Sequence, residues 1–259
     1  MKKIFYIFLL IFVCMNNLVQ AQAETPNPES IIKKTIAAHG SEEHFKSIRD
    51  IYAKLLLKAY TKDGVFENTL YEYYRVPNLL RMDIAPNAGE SVSISWDGES
   101  MHRYANNEQE KSQDKEDIEQ MQESLRFMKL LILTNLLEKG STVKYEQYQA
   151  KKNIHVISQT DEKGEKVWLL IAGDTYLLAG ARFTIANDTT PYNVIFVQHH
   201  KFSQLVLPRE ARLFKGKELI LEAKINLAKT NIIENKNNFF TDLTQKPILK
   251  KETRRHYRN

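Results

Sequence analysis

The feature that most limits how this chain can fold is a two-residue alternation of apolar and polar side chains, recurring in short segments between residues 51 and 228. Ile51, Ala53, Leu55, Leu57 and Ala59 share one parity, while Tyr52, Lys54, Lys58 and Tyr60 share the other. Successive side chains of a strand point to opposite faces, so each such segment makes a half-buried β-strand. Lys62-Asp63-Gly64 supplies a hairpin turn, and 65–76 returns antiparallel. Leu80, Met82 and Ile84 then alternate with Arg81 and Asp83, and Val92, Ile94 and Trp96 alternate with Ser91, Ser93 and Ser95. Asp97-Gly98 leads into a segment over 100–105. The period returns near 142–149, 153–160, 166–172, 175–186, 192–203, 206–215 and 217–228, with breaks such as Lys163-Gly164, Gly173-Asp174 and Lys215-Gly216.

Helical spacing interrupts this rhythm twice. Ile31, Ile32, Thr35, Ile36 and Ala37 predict a small amphipathic helix, followed after Gly40 by a second short one over 41–47. Residues 106–115 read as a polar loop, and Ile118, Met121, Leu125, Met128 and Ile132 predict a helix over 114–138. Its second half, with Phe127, Leu130, Leu131 and Leu137, is apolar on almost every side and needs cover on two faces. Val167-Trp168-Leu169-Leu170-Ile171 alternates little and reads as a strand buried on both faces. The expected fold class is mainly β with helices (α+β): a long antiparallel sheet that must curl, with helices covering its concave side.

Lys2 and Lys3 precede an apolar run over 4–15, and Ala21-Gln22-Ala23 offers small residues for cleavage, so residues 1–23 read as a secretory signal peptide and the chain as periplasmic. The single cysteine, Cys14, falls inside that leader, which removes disulfides, thiolate catalysis and cysteine metal sites from the exported protein. The net charge of +5 is concentrated in Lys246, Lys250, Lys251, Arg254, Arg255 and Arg258. Hence 24–240 is expected as one β domain and 241–259 as a basic, flexible tail able to touch anionic lipid. Nucleic acid is excluded as a partner because the basic charge is not interleaved with a stacking platform. No Gly-x-Ser-x-Gly, His-Glu-x-x-His or phosphate-cradling glycine loop occurs, so no catalytic residue and no cofactor are assigned. His199 and His200, as strand neighbours, point to opposite faces and make no metal site; His39 and His44 are expected at the surface. Glu67, Glu72 and Asp83 are expected to be solvated.

Several strings in this order resemble the LolA family of periplasmic outer-membrane lipoprotein carriers and lipoprotein-sorting proteins. They are Tyr74-Arg75-Val76-Pro77-Asn78-Leu79-Leu80-Arg81-Met82, then Trp96-Asp97-Gly98-Glu99, Leu207-Pro208-Arg209-Glu210 and the stretch 231–240. The resemblance covers roughly residues 29–240 and implies an open, curved half-barrel of about eleven antiparallel strands with a helical lid over an apolar cavity. It also implies shelter of lipoprotein acyl chains or lipid, and a membrane-anchored delivery partner. The family's arginine directly before the proline is Val76 here; Arg75, one residue earlier, faces the opposite side, so the lid-latch role is not carried over. Inward-facing Leu55, Leu57, Leu80, Met82, Ile94 and Trp96, with Phe127, Leu131 and Leu137 of the long helix, are the candidate cavity lining. Alternation alone favours a filled core; the resemblance favours a pocket of roughly 300–1,000 Å³. Tyr71, Tyr73 and Tyr74 form either an entrance rim or cross-strand pairs. A sensor or adaptor docking a protein partner through the same domain is the alternative function.

Overall fold

The computed structural model describes residues 26–86, 90–131, 141–162, 164–185 and 188–250. The expected leader and Leu137 lie outside them. Helix α1 (Pro28–His39) begins where the Asn27 side chain accepts hydrogen bonds from the amides of Glu29 and Ser30, and it buries Ile31, Ile32, Thr35, Ile36 and His39. Helix α2 (Glu42–Ser47) is capped by Ser41 and buries Phe45. Helix α3 spans Lys115–Leu131. The strands are β1 (Asp50–Thr61), β2 (Gly64–Arg75), β3 (Leu79–Pro86), β4 (Val92–Trp96), β5 (Met101–Ala105), β6 (Glu108–Ser112), β7 (Thr142–Gln149), β8 (Ile154–Thr160), β9 (Lys166–Ala172), β10 (Leu178–Ile185), β11 (Asp188–Phe202), β12 (Leu205–Lys215) and β13 (Glu218–Thr230).

All of them join one sheet of 13 strands in the order β6-β5-β4-β3-β2-β1-β13-β12-β11-β10-β9-β8-β7. Two antiparallel meanders are sewn together where β1 pairs with β13, so β6 and β7 are its edges. The sheet must curl. At the start of α3, Asp117 accepts a hydrogen bond from Ser112 of β6, and farther along Arg126 is ion-paired with Glu165 beside β9. In a flat sheet β6 and β9 would stand about 48 Å apart, whereas the helix between Asp117 and Arg126 rises only about 14 Å.

The strand number exceeds the expected eleven or so. The addition is β6, inside the stretch read as a polar loop; Asn106 and Asn107 turn the chain with φ of 54° and 63°, and β6 pairs with β5 as an edge strand. Four of its five residues are exposed, so no apolar alternation announces it. A second correction concerns β9, which is buried on one face only: burial alternates along it, and Trp168 is half-buried with the Lys166 ammonium 4.8 Å from its ring centre.

The two faces of the sheet carry separate cores. On the inner face, Ile51, Leu55, Leu70, Tyr74, Leu80, Ile157, Leu169 and Val194 pack with residues of all three helices. Each fully buried aliphatic side chain contributes about 1.5–3 kcal/mol relative to exposure. On the outer face, Tyr52 and Tyr73 pack under Ile233, Phe239 and Phe240. The last three belong to a strap that leaves β13 and crosses the sheet, where Ile233 bridges to Leu249. Arg75 donates to the carbonyls of Ile233 and Asn235 and to the Asn237 side chain, and Arg81 donates to the carbonyls of Phe239 and Leu243. On β6, Gln109 donates to Thr241 O and accepts from Leu243 N. Residues 241–250, expected in a flexible tail, are part of this strap; Leu243 is buried.

His39 is buried as well, correcting its expected surface position. Its Nδ1 donates to Val206 O and its Nε2 accepts from Leu178 N, so the neutral ring pins the end of α1 across β10 and β12. Burial pulls its pKa down to about 4 from 6.5, with the His199 ring 5.4 Å away acting in the same direction. The unfolded chain therefore binds this proton at a pH where the folded chain does not, and stability falls as pH drops from 6.5 through 4. His39's own contribution to this loss is about 3 kcal/mol by pH 4, read as the difference between wild type and His39→Asn in urea denaturation at pH 6.5 and pH 4.

Candidate ligand-binding face

Register fixes which side chains share the inner face. Leu80 lies opposite Tyr74 and Trp96, Met82 opposite Glu72 and Ile94, and Leu55 opposite Leu70 and Ile225. Leu80, Met82, Ile94 and Trp96 thus make one patch on β3 and β4, while Leu55 and Leu57 stand beyond β2 on β1. Leu55 and Leu80 are sealed at 1% and 0% exposure; Leu57, Met82 and Ile94 are half-buried and pack against that cluster. Phe127 and Leu131 fall within α3, but their side chains lie outside the described set, as does all of Leu137.

A cavity of about 470 Å³ opens where α3 crosses between the two flanks of the sheet. Trp96, Leu125, Leu130 and Val167 give it an apolar wall, and Pro77, Asn78 and Gly98 of the neighbouring turns close one side. The rest of the lining is mostly polar, with Gln122, Gln159, Arg126, Lys129, Asp161 and Glu165 among it. Among the candidates whose side chains are described, Trp96 lines this space. Leu125 and Leu130 were visible only as part of the helical stripe, and Val167 only as part of a strand, because adjacency across the flanks depends on the curl of the sheet. The volume falls within the roughly 300–1,000 Å³ range of ligand pockets, and a lining that joins an apolar wall to charged side chains suits an amphiphile.

Glu72 is the unexpected member of the inner face. Read as solvated, it is only 5% exposed, because the parity that turns Leu70 and Tyr74 inward turns the residue between them inward too. Its Oε2 has no hydrogen-bond partner among the described residues, and burial alone pushes its pKa up to about 8. The expected solvation holds for Glu67, which pairs at the surface with Lys58. Asp83 accepts from the Arg81 guanidinium on the outer face at 2.8 Å.

The tyrosine cluster splits by parity. Tyr73 stacks edge-on against Phe239 beneath the strap, whereas Tyr74 enters the inner core and donates to Pro77 O. Among the described residues there is no group of three or more side chains able to hold a metal ion, and no helix long and apolar enough to cross a membrane.

No protein-family model matches the chain, and no curated protein matches it. Solved structures do. A LolA superfamily protein from Nitrosomonas europaea is similar over 85% of this chain and 100% of its own, with a TM-score of 0.60 at 8% identity. A DUF1329 family protein from Desulfovibrio piger is similar over 85% of this chain and 100% of its own, with a TM-score of 0.56 at 11% identity. The fold is LolA-like.

Proposed function

We propose that the protein is a non-enzymatic carrier or binding protein of the periplasm, which shelters the hydrocarbon of a lipid or lipidated protein between α3 and the inner face of the sheet. The observation that supports this reading most is the apolar-walled cavity of about 470 Å³ beneath a helix that joins the two flanks. Hydrocarbon is the ligand chemistry such a wall favours, at about 0.8 kcal/mol for each methylene removed from water. The charged side chains of the lining, Arg126, Lys129, Asp161 and Glu165, would hold a headgroup. Leu57, Met82 and Ile94, half-buried on the same face, would extend the contact surface if α3 shifts outward. In this reading the basic residues near the C-terminus meet anionic lipid or a membrane-anchored acceptor during delivery.

Trp96 provides a direct test. The chain has two tryptophans, and Trp168 faces outward from β9, so Trp168→Phe leaves Trp96 as the sole reporter of the cavity. Titration of that variant with dibromostearic acid is expected to quench Trp96 emission saturably, because bromine quenches only near contact, and unlabelled stearic acid should reverse it. Unchanged emission at saturating fatty acid would overturn the carrier reading. If native mass spectrometry of the periplasm-derived protein then showed a stoichiometric protein partner and no extractable small mass, the domain would be an adaptor.

A further inference from the structure

The inner face holds one buried acidic side chain that makes no polar contact among the described residues, Glu72. Glu72 sits on β2 between inward-facing Leu70 and Tyr74, with Ala53 of β1 and Met82 of β3 directly opposite it in register. Beyond Ala53 the row continues to Ala228 of β13, so two consecutive side chains on one flank of the carboxyl are single methyl groups. A buried carboxyl normally finds a donor or an acceptor within the protein, and leaving it without one is costly. Here its Oε2 has none among the described residues, and the side chains beside it on β1 and β13, Ala53 and Ala228, are small and buried at 3% and 5% exposure.

We propose that Glu72 is the polar anchor of the ligand face: its carboxyl donates a hydrogen bond to the ester or amide carbonyl of an acylated ligand, whose chain reaches past the cavity and displaces what now covers Ala53 and Ala228. This rests on the carrier reading above and specifies its ligand class as acyl esters or amides, not bare hydrocarbon. The protonated carboxyl has one O–H to give. Burial keeps it protonated at neutral pH, since its pKa is pushed up to about 8. Titratable or charged groups that the packed elements bring toward this face include Tyr74 on its own strand, Arg103 on β5, His39 on α1 and Arg126 and Lys129 on α3. Tyr74 is engaged with Pro77 O and His39 with β10 and β12, while Arg103 is exposed; none of the five contributes to the displacement of the Glu72 pKa, which has burial as its sole cause.

The experiment compares methyl palmitate with hexadecane as competitors for a bound polarity-sensitive dye, in the wild type, Glu72→Gln and Glu72→Leu. Comparing the ester-to-alkane affinity ratio between proteins cancels the two probes' own solubilities. Glu72→Gln keeps a donor and should keep the ratio; Glu72→Leu should lower it about tenfold, the worth of one hydrogen bond of about 1.4 kcal/mol. In the wild type the ratio should also fall as pH rises from 6 to 9, as the O–H is lost, and should stay level in Glu72→Gln. Equal ratios in all three proteins, with both probes binding, would overturn the anchor and leave the carrier reading standing. Failure of both probes to displace dye from the wild type would overturn both, and displacement by hexadecane but not by methyl palmitate would overturn the anchor. Melting curves of the variants confirm that each is folded.

Discussion

Replacing Arg81 by methionine is expected to cost about 3–5 kcal/mol, the range for removing one partner from a buried charge network. Only 3% of Arg81 is exposed. Its Nε meets Asp83 at 2.8 Å, its two terminal nitrogens meet the carbonyls of Phe239 and Leu243 at 3.1 and 3.2 Å, and its guanidinium lies 4.1 Å from the Phe239 ring centre. Methionine fills much of the volume but leaves both carbonyls and Asp83 without their donor. The strap should therefore lift before the sheet melts. Calorimetry should show the midpoint lowered by about 10 °C, given roughly 2–4 °C per kcal/mol for a domain of this size. Limited proteolysis should gain a cleavage between residues 231 and 250. Arg81→Lys restores charge without the fork and should recover only part of the loss. A midpoint within 2 °C of wild type and no new cleavage would show that the strap is held by Phe239 and Phe240 alone.

Glu72→Gln is expected to act in the opposite direction and raise stability by about 3 kcal/mol at pH 7. The folded chain holds the Glu72 proton up to about pH 8, whereas the unfolded chain releases it near 4.5. This is a raised acid: the folded state is favoured fully below pH 4.5 and loses ground as pH rises toward 8. The amide has no such slope, so variant and wild type should coincide near pH 4 and diverge steadily above it. His39 tilts the wild-type profile the other way between 6.5 and 4, so above pH 6.5 the decline belongs to Glu72. Urea denaturation of both proteins at pH 4, 7 and 8.5 tests this. Parallel curves would mean that Glu72 has an ionised partner in solution and that its isolation on the inner face is wrong.

Binding and stability meet at this residue. A buried carboxyl with no partner among the described residues weakens the fold, and an occupant that supplies an acceptor, as proposed above, would offset that cost.

Local patterning carried most of the architecture. Every segment with period-two alternation became a strand, because one buried face is enough to write that period into the residues, and the two short N-terminal helices formed where their spacing indicated. Strand β6 was illegible for the same physical reason: an exposed edge strand buries nothing, and its main contribution, Gln109 holding the strap, is polar. The buried states of Glu72 and His39 were missed although the inward parity of Leu70 and Tyr74 already pointed to the first.

The sequence by itself determined the strand rhythm, the antiparallel meanders and the apolar inner face, since these follow from alternation and turn chemistry between near neighbours. Only the tertiary structure decided that β1 would pair with β13, that α3 would lie between Trp96 and Val167, and that a strap from beyond β13 would bury Arg81. Those contacts join residues far apart in the chain, and side-chain period carries no information about which distant partner will arrive. The cavity belongs to the second group: its wall comes from both flanks of a curled sheet, and neither flank encodes the other's position.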